Sequence, residues 1–306
     1  MNITYNQPVK ESKLSIRQVK LDNLILGGEF SLPFMKKENN FNSRPLVAIE
    51  IQTIITEKYS KILHEAWGDC IKDPVLWAKK AQEKGADVLA VRFNIANIED
   101  HDLEIEKSKV ILNQILKAVT IPVIAVGSDR DETDIKLLPE LAKAAERKCT
   151  IGLVEEDTYK EIIPVIKETG HNVIVRTPID INLAKELNIF ITEMGFDPNK
   201  IIIDPNMGAL GYGLDYAYSV IERIRLAAFD GDSMLNMPVV TFVGIETWKA
   251  KESKSSNVPK EWGDITTRAI SWECITASSM LSAGADMVVL YHPESVLYIK
   301  NFIEKA

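Results

Sequence analysis

The sequence predicts a (β/α)8 barrel, the TIM-barrel architecture, preceded by an N-terminal β-hairpin. Eight short apolar runs rich in β-branched residues recur along the chain, at 46–51, 88–93, 123–126, 150–154, 173–176, 201–203, 239–243 and 287–291. Runs that are apolar throughout, rather than alternating, mark strands buried on both faces, as in a parallel sheet. A helical pattern follows each run, and eight such units suit a closed barrel better than an open sheet. The open, doubly wound sheet is the alternative, but no Gly-x-Gly-x-x-Gly follows the first run, which removes its usual dinucleotide-binding form.

The elements carry their own start and stop signals. Ahead of the first unit, residues 24–34 read as a hairpin turning at Gly27-Gly28, placed as a plug under the N-terminal end of the barrel. Asp73 before Pro74 is a helix N-cap followed by proline at the first helical position, where a missing N–H does no harm. Gly85, Gly170, Gly195 and Gly284 stand where helices should end, in the left-handed cap. Lys84-Gly85-Ala86-Asp87 and Ala283-Gly284-Ala285-Asp286 are the same helix-stop, strand-start device near the two ends of the barrel. Two connections exceed a simple turn, 52–72 and 245–264, and both lie on the side where the strand C-termini emerge. No linker divides the chain, so a single domain is expected, with an extension and hairpin at 1–45 and the barrel at 46–306.

Composition narrows the function. Of 306 residues 46% are hydrophobic, enough for a substantial core, and 36 Lys and Arg against 44 Asp and Glu give a formal charge of -8. That balance argues against nucleic acid and anionic membranes as partners. No apolar run approaches the roughly 20 residues of a membrane span, and the polar start of the chain lacks the apolar core of a signal peptide. A cytoplasmic location is expected. Cys70, Cys149 and Cys274 are far apart and form no Cys-x-x-Cys pair, so an iron–sulfur cluster or zinc ribbon held by this chain alone is not expected.

Polar residues just past the strands should converge on one mouth: Glu50, Gln52, Arg92, Asn94, Gly127, Ser128, Glu155, Arg176, Thr177, Asp180, Asp204, Asn206, Glu246, Trp248 and His292. Arg176 and Asp204 can form an acid–arginine pair inside it. The most informative stretch runs from Asp204 to Gly213. Gly208, Gly211 and Gly213 let backbone approach a bulky ligand or partner closely, and Leu210 and Tyr212 read as an exposed apolar patch among them. The Lys and Ser/Thr of a phosphate-binding P-loop are missing. No catalytic constellation emerges and no metal ligand set is expected. His101 reads as a solvated loop residue, and His171 as a surface or capping residue. No strand end offers a Schiff-base lysine, which disfavours an aldolase-type enzyme.

The chain resembles the small subunit of the corrinoid iron–sulfur protein of the acetyl-CoA (Wood–Ljungdahl) pathway, whose archaeal counterpart is the delta subunit of acetyl-CoA decarbonylase/synthase. The likeness runs from about Leu24 to the last helix. It is carried by Gly27-Gly28 with Leu32-Pro33-Phe34, Arg44-Pro45 with Glu50-Ile51-Gln52, and Arg176-Thr177-Pro178-Ile179-Asp180-Ile181-Asn182 with Leu187-Asn188-Ile189. It continues through Ile203-Asp204-Pro205 with Gly208, Leu210-Gly211-Tyr212-Gly213, Glu222-Arg223-Ile224-Arg225-Leu226, Val243-Gly244, Trp248-Lys249-Ala250-Lys251-Glu252 and His292-Pro293. Ala209 stands where the family pattern has a second glycine, and Thr177 where it has serine. The resemblance implies a non-catalytic subunit in a heterodimer. The large subunit would carry the cluster and the cobalamin (corrinoid), which then lies between it and the barrel mouth. Methyl would pass from methyltetrahydrofolate, through a separate methyltransferase, to acetyl-CoA synthase/CO dehydrogenase. Cobalamin-facing residues would be Arg176, Thr177, Asp204, Asn206, Gly208, Leu210, Gly211, Tyr212, Gly213, Gly244, Glu246 and Trp248. The alternative is an autonomous pterin-binding barrel methyltransferase, with Asp204 and Asn206 hydrogen-bonded to the pterin.

Overall fold

The structure, a computed structural model, describes residues 12–33, 44–55, 59–95 and 100–305. Eight parallel strands form the barrel: β3 (Leu46–Gln52), β4 (Val88–Arg92), β5 (Val123–Val126), β6 (Thr150–Val154), β7 (Asn172–Arg176), β8 (Ile201–Asp204), β9 (Val240–Thr241) and β10 (Met287–Leu290). Neighbours in sequence are neighbours in space. β10 pairs with both β3 and β9, and a parallel bridge from Ile203 to Val239 joins β8 to β9 and closes the ring.

Period-two alternation along each strand separates two cores. Ala48, Ala90, Ile124, Val126, Ile174, Ile202, Val240, Phe242 and Val289 pack together inside the barrel. Val47, Ile49, Leu89, Ala125, Val173, Ile203 and Val288 point outward, against the helices. These are α2 (Pro74–Glu83), α3 (His101–Ala118), α4 (Asp131–Ala144), α5 (Tyr159–Thr169), α6 (Ile181–Glu193), α7 (Leu214–Phe229), α9 (Ile265–Ala283) and α10 (Pro293–Lys305). Asp73 caps α2 by accepting from the Val75 and Leu76 N–H groups. Gly85, Gly170, Gly195 and Gly284 all have positive φ at helix ends.

The repeated Gly-Ala-Asp device has a physical purpose. Asp87 accepts the Val47 N–H (3.0 Å) and Asp286 accepts the Val239 N–H (2.6 Å), so each satisfies a buried donor where a neighbouring strand begins. Asp286 is also paired with Arg225, which donates to the Gly284 and Met237 carbonyls.

Three expectations shift. The hairpin exists and plugs the N-terminal end, with Val19, Leu21 and Leu26 joining the interior core, but its strands are β1 (Val19–Leu21) and β2 (Leu24–Leu26). It turns at Asp22-Asn23, with Asp22 at φ 49°, rather than at Gly27-Gly28. Gly27 is needed for close approach instead, since a Cβ there would lie 2.1 Å from the Arg17 carbonyl. Phe34, the end of the expected hairpin, lies outside the described residues. The expected strand at 239–243 is shortened to β9, because Val243 already begins the helix α8 (Val243–Thr247), where Gly244 packs on the Tyr291 ring. The 52–72 connection holds the helix α1 (Lys61–Trp67) and a 3-10 turn (Gly68–Lys72); its residues 56–58 lie outside the description.

Candidate functional site

The interior alternation that buries Ala48, Ala90, Ile174 and Ile202 places Glu50, Arg92, Arg176 and Asp204 inside the barrel at its C-terminal end. They form one continuous ion network. Arg92 grips Glu50 through Nε (2.6 Å) and Nη2 (3.2 Å) and meets Asp129 through Nη1 (2.7 Å). Asp129 bridges on to Arg176 Nη1 (3.3 Å), and Arg176 Nε donates to Asp204 Oδ2 (2.7 Å). The Tyr291 hydroxyl donates to Glu50 Oε1 (2.9 Å), and the Arg176 guanidinium lies 5.4 Å from the Phe242 ring centre. Glu50, Arg92 and Asp204 are buried, whereas Asp129 keeps 38% of its side chain exposed. The lumen is therefore sealed by a floor of paired charges.

Electrostatics follow from that arrangement. Burial opposes the charge on Arg92, but Glu50 and Asp129 outweigh it and hold the guanidinium well above its ordinary range. Burial works against Asp129 too, yet Arg92 and Arg176 keep its carboxyl below the usual value. For Asp204 burial prevails over Arg176 and the Asn206 N–H, and the carboxyl is raised.

Past β8 the chain runs along the rim. Asn206 has φ 56°, its N–H meets Asp204 Oδ1 (3.0 Å), and its side-chain oxygen accepts the Met207 N–H (2.8 Å). A Cβ on Gly208 would lie 2.3 Å from the Tyr212 carbonyl oxygen, and Gly211 and Gly213 have φ of 85° and 81°. The loop therefore folds back on itself in a way only glycine permits. Trp272 Nε1 donates to the Leu210 carbonyl (2.9 Å), Leu210 N–H reaches the Thr276 hydroxyl (3.3 Å), and Trp262 stacks on Trp272. Tyr212 is 88% exposed, as expected; Leu210 is half-buried, held at its backbone by α9, and is not a free apolar knob.

The α8 side differs from expectation. Trp248 is buried, donates to Glu273 Oε1 (3.0 Å) and stacks on His292, so it is wall rather than rim. Gly244 is buried against Tyr291, and Glu246 pairs with Lys249 (3.0 Å). Asp180 caps α6. Thr177 is buried and its side chain faces away from the lumen, one residue past Arg176. His101 opens α3, its Nε2 3.4 Å from the Thr133 hydroxyl, instead of lying on a solvated loop. His171 is buried: one ring nitrogen accepts the Cys149 N–H and the other lies 2.9 Å from the Ala142 carbonyl. Sequence reasoning missed Asp129, Phe242 and Tyr291. Counting in twos up each strand assigns Phe242 and Tyr291 to the interior; Asp129 has no comparable signal.

Among the described residues no group of three or more His, Cys, Asp or Glu side chains is placed to hold a metal ion, and no helix is long and apolar enough to cross a membrane.

The fold is similar to that of dihydropteroate synthases. The Xanthomonas albilineans enzyme with 4-aminobenzoic acid superposes with a TM-score of 0.61 at 11% identity, covering 95% of this chain and 98% of that one. The Yersinia pestis enzyme in a sulfonamide complex gives 0.59 at 13%, covering 94% and 98%. At such identities the likeness concerns the fold alone. Sequence relatives are nearer. The acetyl-CoA decarbonylase/synthase complex subunit delta of Methanopyrus kandleri is 30% identical over 285 residues, 92% of this chain and 70% of that protein. Its counterpart from Archaeoglobus fulgidus is 31% identical over 284 residues, 90% of this chain. The chain spans 62% of that second relative's length. Residues 19–294 match the family described as the CO dehydrogenase/acetyl-CoA synthase delta subunit, and the chain belongs to that family.

Proposed function

We propose that this chain is the small subunit of a heterodimeric, cytoplasmic corrinoid iron–sulfur methyl carrier, and that its barrel mouth covers the cobalamin held by the large subunit. In this reading methyl passes from methyltetrahydrofolate, by way of a separate methyltransferase, to acetyl-CoA synthase/CO dehydrogenase. The corrinoid, when bound, supplies a strongly nucleophilic cobalt centre that takes up a methyl group and gives it on.

One observation carries the reading: the mouth is a sealed floor with a glycine-folded rim, not a pit. Arg92 satisfies Glu50 and Arg176 satisfies Asp204 below the surface, so these carboxylates offer little to a small substrate that must be gripped from several sides. The rim presents backbone without side chains at Gly211 and Gly213 and the exposed ring of Tyr212. Close backbone approach beside an aromatic face fits the edge of a broad, flat macrocycle. What these residues contribute is cover: they keep water from the bound face and limit how the partner domain sits. His292 is buried beside Trp248 and accepts the Glu294 N–H through Nδ1, so it is not directed at the mouth.

The pterin-methyltransferase alternative requires Asp204 and Asn206 to be open to a ligand. Asp204 accepts from Arg176 and the Asn206 N–H, and Asn206 from the Met207 N–H.

The test is binding and assembly. The isolated chain is expected to bind neither cobalamin nor methyltetrahydrofolate tightly, and to form a one-to-one corrinoid-containing complex when co-expressed with the large subunit. Tyr212→Asp should slow methyl transfer by about tenfold or more while leaving the unfolding midpoint within about 1 °C, since an exposed ring contributes little to stability. Tight binding of methyltetrahydrofolate by the isolated chain would reverse the ranking.

A further inference from the structure

Between the ends of β6 and β7 and the helix α6, outside the paired floor, lies a cleft of about 130 Å³. Arg176 and Thr177 line one side, Glu155 another, and Pro178, Leu187 and Phe190 give it apolar walls. Arg176 directs Nε to Asp204 and Nη1 to Asp129, and its Nη2 has no acceptor among the described residues. Thr177 is only 4% exposed, yet its hydroxyl has no hydrogen-bond partner among the described residues. Buried hydroxyls are rarely left so, because the group has given up water without replacement. Glu155 is half-buried, and burial raises its carboxyl against the opposing pull of Arg176.

The residues lining this one small space thus bring a guanidinium, an unmatched hydroxyl and a carboxylate together. An anion entering it meets Glu155, with Glu156, Asp157 and Glu186 around it. A cation meets Arg176. A neutral group with an acceptor and a donor on one carbon matches both ends. We propose that this cleft binds a primary carboxamide, whose oxygen accepts from Arg176 and whose nitrogen donates to Glu155, with the Thr177 hydroxyl completing the set. At roughly 30 Å³ per water the volume equals about four waters, room for a carboxamide and one or two methylenes but not for a fused ring. The source of the amide rests on the functional reading above: a corrin ring carries primary carboxamides on short acetamide and propionamide arms, and one of them enters here when the ring lies on the mouth.

The experiment uses the full chain with 13C-labelled Thr and Leu methyl groups. Propionamide should move the Thr177 and Leu187 methyl resonances saturably, and propionate at least about tenfold more weakly. In Thr177→Val, read at Leu187, the midpoint should rise about fivefold, the loss of one neutral hydrogen bond. Equal response to propionate, or no response to either, overturns the carboxamide site whatever the fate of the larger reading. In the cobalamin-loaded heterodimer the Thr177 methyl should move in the same direction. A propionamide response without that movement leaves the site standing and removes the corrin as its occupant.

Discussion

Removing the Arg92 guanidinium tests whether the mouth is floored by dry ion pairs. Glu50 has no exposed side-chain surface and receives two bonds from Arg92, at 2.6 and 3.2 Å, and one from Tyr291. In Arg92→Met a carboxylate stays buried with a single neutral donor, and Asp129 keeps only Arg176. Breaking a buried pair from one side destabilises by about 3–5 kcal/mol, most of it from the abandoned charge. For a chain of 306 residues that is a fall in Tm of roughly 5–8 °C. The assay is urea denaturation, with thermal melting alongside, of wild type, Arg92→Met, Glu50→Gln and the double variant. The double variant should recover at least about 2 kcal/mol of the sum of the single losses, because neither charge is then left alone. As control, Lys249→Ala breaks an exposed pair with Glu246 and should change stability by less than about 1 kcal/mol. If Arg92→Met behaves like that control, or if the losses simply add, the floor is hydrated and the sealed-mouth argument fails.

Gly208→Ala sets a Cβ 2.3 Å from the Tyr212 carbonyl oxygen, so the rim loop must open; a loss of about 1–3 kcal/mol is expected in denaturation and, on the proposed reading, weaker assembly with the large subunit. His292 has its pKa lowered by burial, from 6.5 to about 4. The unfolded chain therefore binds the proton more readily, and stability is lost as pH falls from about 6.5 to about 4, levelling below that, by at most about 3 kcal/mol. His292→Gln should flatten that part of the stability–pH curve; an unchanged slope refutes the assignment. Burial pushes the Cys149 and Cys274 thiols up to about 12, so both should resist alkylation by iodoacetamide at pH 8 in the native protein and react once it is unfolded, as mapped by mass spectrometry.

What the sequence disclosed and what it concealed divide along a physical line. Strands buried on both faces, helix caps and the Gly-Ala-Asp starts are local signals, and Asp73, Gly170 and Gly284 act as their types imply. The Arg176–Asp204 pair was legible because both residues end neighbouring strands. Features that depend on a distant partner were not. Gly27-Gly28 has the composition of a turn, but the turn lies at Asp22-Asn23, and Gly27 exists for the backbone of Arg17. Trp248 sits in a strand-end segment and reads as rim, until Glu273, 25 residues on, takes its N–H inward. His171 is a core residue because Ala142 and Cys149 happen to flank it. Asp129 joins two arginines from a loop, at φ 60°, a conformation that nothing in its neighbourhood announces.

The distribution of satisfied and unsatisfied groups around the mouth bears on why such a barrel should need a partner. Between β9 and β10 the buried Glu273 carboxylate is fully engaged: it accepts from Trp248, from Ser295 and from the Tyr291 and His292 N–H groups. Across the lumen Glu50, Arg92 and Asp204 are likewise engaged. In the sector of β6 and β7 the Arg176 guanidinium, which spends Nε on Asp204 and Nη1 on Asp129, borders the small cleft that Glu155 and Thr177 also line. A ligand wide enough to span the mouth therefore meets carboxylates and arginines that largely neutralise one another, with the cleft beside Arg176 as a foothold on one side. One-sided contact orients a ligand without holding it, since binding must first offset the loss of its translational and rotational freedom. On the proposed reading the missing grip comes from the large subunit, and the barrel's sealed floor lets the ligand be covered and uncovered without a deep pocket having to open.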